Sequence, residues 1–258
     1  MIATAVSGWY THAMNIRAVI FDRDNTLLHF DPAAVTAIEA RIAEVAPTLP
    51  PGAVTLYWTM WPGPWPRTAN AEPAFWRAFW DGLARQYQLP QHEVTALEQI
   101  GMFYHTCFAA FPDSAACLAE LRARSLRLAV LTNFELPSVD LTLQHAGLDA
   151  SQFDVLLSSA SIGFHKPDPR AYLAVADALR LPASECAFVD DLPENVEAAR
   201  ALGMTAWLLD REYKAGPRLA FRIHNLYDLA NLLGLLDEQM RQSFEDHSTQ
   251  TSNITACT

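Results

Sequence analysis

From Asp113 onward the chain alternates short apolar runs with amphipathic stretches of ten or so residues, and nothing else in it limits the fold so tightly. Leu126–Leu131, Val155–Ser158, Cys186–Val189 and Thr205–Leu209 read as strands. Before and between them, Ser114–Arg124, Pro137–Ala146, Pro169–Leu179 and Pro193–Leu202 read as helices, two of them closed by Gly147 and Gly203. Strands separated by helices of this length imply right-handed crossovers and a parallel sheet covered on both faces. Upstream, Ala18–Phe21 is an apolar run of the same kind, as expected of a strand buried on both faces. The fold class implied is α/β, a doubly wound, Rossmann-like parallel sheet.

In such sheets ligands sit beyond the carboxyl ends of the strands, so chemistry is expected where each run ends. The first run delivers Asp22 and Asp24. Two carboxylates so close repel unless neutralised, and a hard divalent cation with oxygen ligands would do that. The same residues also suit a plain polar turn, since Asp24-Asn25 are turn formers. The second run ends in Thr132-Asn133, a hydroxyl and an amide able to donate to phosphate-type oxygens. After the third comes Gly163-Phe164-His165-Lys166-Pro167-Asp168-Pro169, a proline-stiffened loop whose lysine can offset negative charge. The fourth ends in Asp190-Asp191 with Asn195 in the next helix, where the aspartates would also serve as caps.

Between the first strand and the regular alternation lies an insertion, residues 31–112. Val35–Val45 has helical spacing and stops before Pro47. Thr48–Pro73 is dense in Trp and Pro, and the prolines exclude a regular helix through Pro62–Pro66, which predicts an irregular aromatic loop. Phe75–Tyr87 and Val94–Phe108 read as amphipathic helices. The insertion is therefore a helical unit whose tryptophans pack chiefly as core.

The four strand ends, taken in order, form the series Asp-x-Asp-x-Thr, Thr132, Lys166 and Asp-Asp-x-x-x-Asn. With Lys166-Pro167-Asp168-Pro169 and Asn195–Met204, this series resembles the haloacid dehalogenase-like hydrolase superfamily over about residues 16–210. The resemblance implies a core of residues 14–30 and 113–240 with an α-helical cap at 31–112. Too few residues separate Thr132 from Lys166 for the larger cap that other members carry there. It implies Asp22 as the nucleophile that forms an aspartyl-phosphate, and Asp24 as the group that protonates the leaving oxygen and then deprotonates water. It further implies Mg²⁺ held by the Asp22 carboxylate, the Asp24 backbone carbonyl and Asp191, with Asp190 and Asn195 supporting. Thr132, Asn133 and Lys166 would bind phosphoryl oxygens. Members that cleave carbon–halogen bonds lack the second aspartate and the metal, so Asp24 favours phosphate ester cleavage. Arg23, between the carboxylates, is less usual than an apolar residue.

The resulting expectation is a Mg²⁺-dependent phosphatase acting on a small phosphorylated metabolite. A phosphotransferase or mutase with a hydroxyl acceptor, and a non-catalytic phosphate-binding protein, use the same motifs. A net charge of −11 over 258 residues disfavours nucleic acid and anionic membranes as partners, and requires positive charge to be concentrated locally. Cys107, Cys117, Cys186 and Cys257 share no metal-ligand or disulfide spacing. No basic segment leads an apolar core at the N-terminus and no run of apolar residues is long enough to span a bilayer, so a cytoplasmic location is expected. Residues 1–13 and 245–258 are expected to be loose tails.

Overall fold

The computed structural model describes residues 16–213 and 221–233, so the two expected tails lie outside the described residues. In chain order the first elements are β1 (Ala18–Phe21), β2 (Leu28–Phe30), α1 (Pro32–Val45), α2 (Ala53–Thr59), α3 (Glu72–Tyr87), α4 (Gln91–Ile100) and β3 (Phe108–Ala110). They are followed by α5 (Ser114–Ala123), β4 (Arg127–Thr132), α6 (Val139–His145), β5 (Val155–Ser158), the single turn α7 (Ser159–Ile162) and α8 (Pro169–Leu179). Next come β6 (Cys186–Asp190), α9 (Pro193–Ala201), β7 (Thr205–Leu209) and β8 (Arg222–Ile223). A last helix starts at 226 and continues through 233, where the apolar spacing of Leu226–Leu236 predicts one; residues 234–236 lie outside the described residues.

Six strands form one sheet in the order β5-β4-β1-β6-β7-β8, with every pairing parallel. The expected α/β class is what folds. β1 lies in the middle and all four of its residues are fully buried. Its side chains alternate between two cores: Val19 and Phe21 join the cluster on one face, Ala18 and Ile20 the cluster on the other. That alternation is why the run carries no polar residue until it leaves the sheet. Local chemistry sets the helix starts. Asp31 accepts from the Ala33 amide with Pro32 opening α1, and Asp168 accepts from the Arg170 amide with Pro169 opening α8.

Helices α1–α4 form the insertion expected as a cap. Three of its features depart from the expected reading. A regular helix, α2, stands inside the stretch expected to be irregular, because no proline falls between Pro51 and Pro62 and 53–59 are free to coil. Its Tyr57 and Trp58 pack on α3 through Phe79 at 5.1 Å and Trp76 at 5.7 Å between ring centroids, and Gly82 makes the room, since a Cβ there would overlap the Tyr57 hydroxyl. The helix expected to run to Phe108 ends at Ile100, where Gly101 takes φ 60°. Phe108 instead pairs with Phe30 in an antiparallel ribbon, β2 with β3, through which the chain leaves and re-enters the core. Trp76 and Trp80 are buried as expected, while Trp58, Trp61 and Trp65 are half-buried.

Cap and core share side chains. Phe134 and Leu136, from the loop after β4, belong to the cap's hydrophobic cluster. Glu72, fully buried at the head of α3, accepts from the Ser138 amide at 2.7 Å and its hydroxyl at 2.8 Å. Burial raises the Glu72 pKa, and the two Ser138 donors act against that rise. Glu72→Ala leaves a buried amide and hydroxyl without an acceptor. Urea unfolding should show a loss of about 1–3 kcal/mol, the usual cost of orphaning such groups; an unchanged midpoint would mean that the latch contributes nothing.

Candidate active site

The carboxyl ends of β1, β4 and β6 and the loop after β5 bring Asp22, Thr132, Asp190 and Lys166 to one crevice. Lys166 is 4 % exposed and its Nζ donates to Asp22 Oδ1 and Asp190 Oδ2, both at 2.6 Å. Burial works against the ammonium, but the two carboxylates outweigh it and raise its pKa, so Lys166 is a cation. Asp22 is pushed up to about 8, first by burial and then by the charges of Asp190 and Asp24, with Lys166 pulling the other way. Its second oxygen, Oδ2, accepts no hydrogen bond from the described residues, so one oxygen is anchored and the other is free.

Asp190 is the most enclosed of the carboxylates. Besides Lys166 it accepts from the Leu192 amide at 2.9 Å and from Asn195 Nδ2 at 3.0 Å on each oxygen. Asn195 is held in turn by the Tyr172 hydroxyl, which donates to its backbone carbonyl at 2.9 Å. Asn195 therefore orients Asp190. Its neighbour Asp191 is half-buried and is pushed up to about 6 by burial and by Asp190, a rise that an Asn25 hydrogen bond opposes.

Asn133, expected at the phosphate, has another partner. Its Oδ1 accepts from the Lys166 amide at 2.7 Å and its Nδ2 donates to the Lys166 carbonyl at 2.8 Å, so both ends of the carboxamide clamp the loop that presents Lys166. Thr132 fits the expected part better: its hydroxyl is buried at the end of β4 and has no partner among the described residues, the state of a donor awaiting an acceptor. Thr26 Oγ1 is in the same condition.

Arg23 is the feature to which the sequence assigns no role. It is fully buried, and forks the Asp24 carboxylate with Nε at 3.0 Å and Nη2 at 2.9 Å. The rings of Phe134 and Phe108 lie 3.8 and 4.7 Å from the guanidinium carbon. Its bidentate grip and aromatic walls fix the orientation of Asp24, whose side chain remains 41 % exposed. The only signal of this in the sequence is a charged residue where an apolar one is usual.

From the cap, Arg67 reaches the Lys166 loop: a Cβ on Gly163 would lie 2.9 Å from its Nη2. His105 packs on His145 of α6 at 4.4 Å, and burial together with that ring lowers its pKa.

The Asp22 carboxylate, the Asp24 carbonyl and Asp191 offer an all-oxygen donor set, the kind a hard divalent cation takes with waters completing the shell. Among the described residues no three acidic, imidazole or thiol side chains converge into a closed cage. Carboxylates nevertheless outnumber ammonium here, and burial, with the neighbouring carboxylates adding to it, raises the pKa values of Asp22 and Asp191. In chemical type, an all-oxygen set of this kind suits Mg²⁺.

Known proteins resemble this chain over most of its length. The model of a family described as haloacid dehalogenase-like hydrolase matches residues 16–203. A protein of Mycobacterium tuberculosis named Phosphatase MT3486 is 36 % identical over 231 residues, 87 % of this chain and 98 % of that protein. A phosphoglycolate phosphatase of Yersinia pseudotuberculosis is 29 % identical over 211 residues, 80 % of this chain and 85 % of its own length. Among solved structures, a 2-haloacid dehalogenase from Pseudomonas syringae pv. tomato superposes with a TM-score of 0.63 at 25 % identity, covering 85 % of this chain and 98 % of that one.

Proposed function

Since the chain belongs to the haloacid dehalogenase-like hydrolase family, we propose that this hydrolase is a Mg²⁺-dependent phosphatase working through an aspartyl-phosphate on Asp22. The observation that carries this reading is the Asp22 carboxyl itself, with Oδ1 tied to Lys166 and Oδ2 free at the strand end. Oδ2 attacks phosphorus and the bond to the leaving alcohol breaks, while Asp24 gives its proton to the alcohol oxygen. Asp24 then takes a proton from water, whose oxygen joins phosphorus and frees Asp22 and phosphate. Lys166 and the unpartnered Thr132 hydroxyl meet the phosphoryl oxygens, and Arg23 holds Asp24 in place between the two steps. Mg²⁺, held by Asp22, the Asp24 carbonyl and Asp191, would offset charge on the phosphoryl group.

Phosphate release from an aryl phosphate, with and without Mg²⁺, tests the reading, with halide release from a 2-haloacid as the control. Metal-dependent phosphate and no halide is the expected result; halide without metal would replace the proposal with a dehalogenase. Mg²⁺ at about a hundred times its Kd should also stabilise the fold by about 2.7 kcal/mol, since it binds only the native state. EDTA should reverse that rise in Tm, and Asp191→Asn should lose most of it. A fold and a turnover both indifferent to the ion would remove Mg²⁺ from the proposal.

A further inference from the structure

Beneath α1 and α2 the cap contains a cavity of about 640 Å³, within the roughly 300–1,000 Å³ typical of small-molecule sites. Val35, Ile38 and Ile42 of α1, Leu49, Trp58 of α2 and Phe103 are among the apolar side chains of its wall. Its lining has no Lys, Arg or His, and its one charged side chain, Glu39, is exposed at the edge. Such a wall offers no cation to a phosphoryl group and a largely apolar surface to a hydrocarbon.

Two of its rings pack against the rings that surround Arg23 at the catalytic crevice. Phe30, 51 % exposed, stacks on Phe108 at 4.6 Å, and Tyr104 stacks on Phe134 at 5.2 Å. Phe108 and Phe134 are the two rings that enclose the Arg23 guanidinium, and Arg23 grips Asp24. The backbone makes the same connection. Asp24 and Phe30 stand at the two ends of one flap, closed by the bridge between Asp24 and Leu28. The carboxyl that would protonate the leaving oxygen and the rim of the apolar cavity are thus carried by one short segment, and both are open to solvent.

We infer that the cavity receives the hydrocarbon part of the leaving alcohol, so that the substrate is the phosphate monoester of a long-chain aliphatic alcohol. This rests on the phosphatase reading and narrows it. A short polar metabolite would leave the cavity unfilled and gain nothing from its walls, whereas each methylene moved from water into it adds to binding.

The test is a series of straight-chain alkyl phosphates, ethyl to decyl, hydrolysed by the full chain with Mg²⁺. kcat/KM should rise roughly fourfold per methylene and level off once the cavity is full. Ala43→Phe and Thr55→Phe place rings into the cavity from exposed positions on α1 and α2. Both should flatten the rise and leave ethyl phosphate turnover unchanged, with thermal melts confirming that the variants fold. A flat profile in the unaltered chain, or a rise that survives both rings, overturns the inference while the phosphatase reading stands. If no alkyl or aryl phosphate is hydrolysed, that reading fails instead, and the cavity is judged by calorimetry with decanol. Binding weakened at least tenfold by Ala43→Phe supports the hydrocarbon site, and no binding overturns it.

Discussion

Asp22→Asn should reduce phosphate release by at least about a thousandfold, because the amide keeps the shape of the carboxyl but cannot act as the nucleophile. The fold should survive the change and even gain from it. Asp22 titrates near 8 in the folded chain against an ordinary 3.8. The native state therefore holds a proton that the unfolded state has lost over that window, and stability declines as pH rises through it. Replacing the carboxyl by a neutral amide removes this contribution. Urea titrations in EDTA at several pH values should show a shallower decline between about pH 4 and pH 8 for the variant. A variant that unfolds outright would leave its inactivity uninformative about chemistry, so the melts accompany the kinetics. Substantial turnover by a folded Asp22→Asn chain would move the nucleophile elsewhere.

Lys166→Met is expected to cost both activity and stability. The ammonium is the only cation in direct contact with Asp22 and Asp190 among the described residues, at 2.6 Å from each. Removing one partner from a buried ionic cluster leaves uncompensated charge and typically costs about 3–5 kcal/mol. The loss should be largest at alkaline pH, where the carboxylates are ionised, and should shrink as pH falls and Asp22 takes up its proton. That sign separates an electrostatic role from simple packing, since a methionine of similar volume would cost the same at every pH if only volume mattered. Turnover should fall with stability and should not return on acidification, because the phosphoryl group has lost its fixed cation. Equal stability of the two chains across the pH range would show that Lys166 does not hold the carboxylates together.

Much of this site is legible before folding. Asp22 and Asp190 stand at the ends of apolar runs and Lys166 in the proline-stiffened loop that follows the third run, and both features are set by local patterning. Helix α8 is legible to the residue because Asp168-Pro169 starts it by local hydrogen bonding, independent of the rest of the chain. Where the pattern misleads, the cause is a competing contact. Phe108 continues a helical spacing, yet Gly101 breaks the helix and Phe30 offers a strand partner. Helix α2 has too few residues to declare itself by periodicity, and it is held by aromatic contacts with α3.

The sequence alone determined the parallel sheet, the helical insertion and the set of carboxylates and lysine at the crevice. These depend on the spacing of apolar residues and on the polar residues that end each run, both local properties of the chain. Only the tertiary structure decided how those residues act on one another. It put Lys166 between Asp22 and Asp190, engaged Asn133 with the Lys166 backbone, enclosed Arg23 between Phe108 and Phe134 so that it grips Asp24, and opened an apolar cavity beside them. Most of these contacts join segments far apart in the chain, and side-chain contacts across such distances arise from packing, which no local pattern encodes.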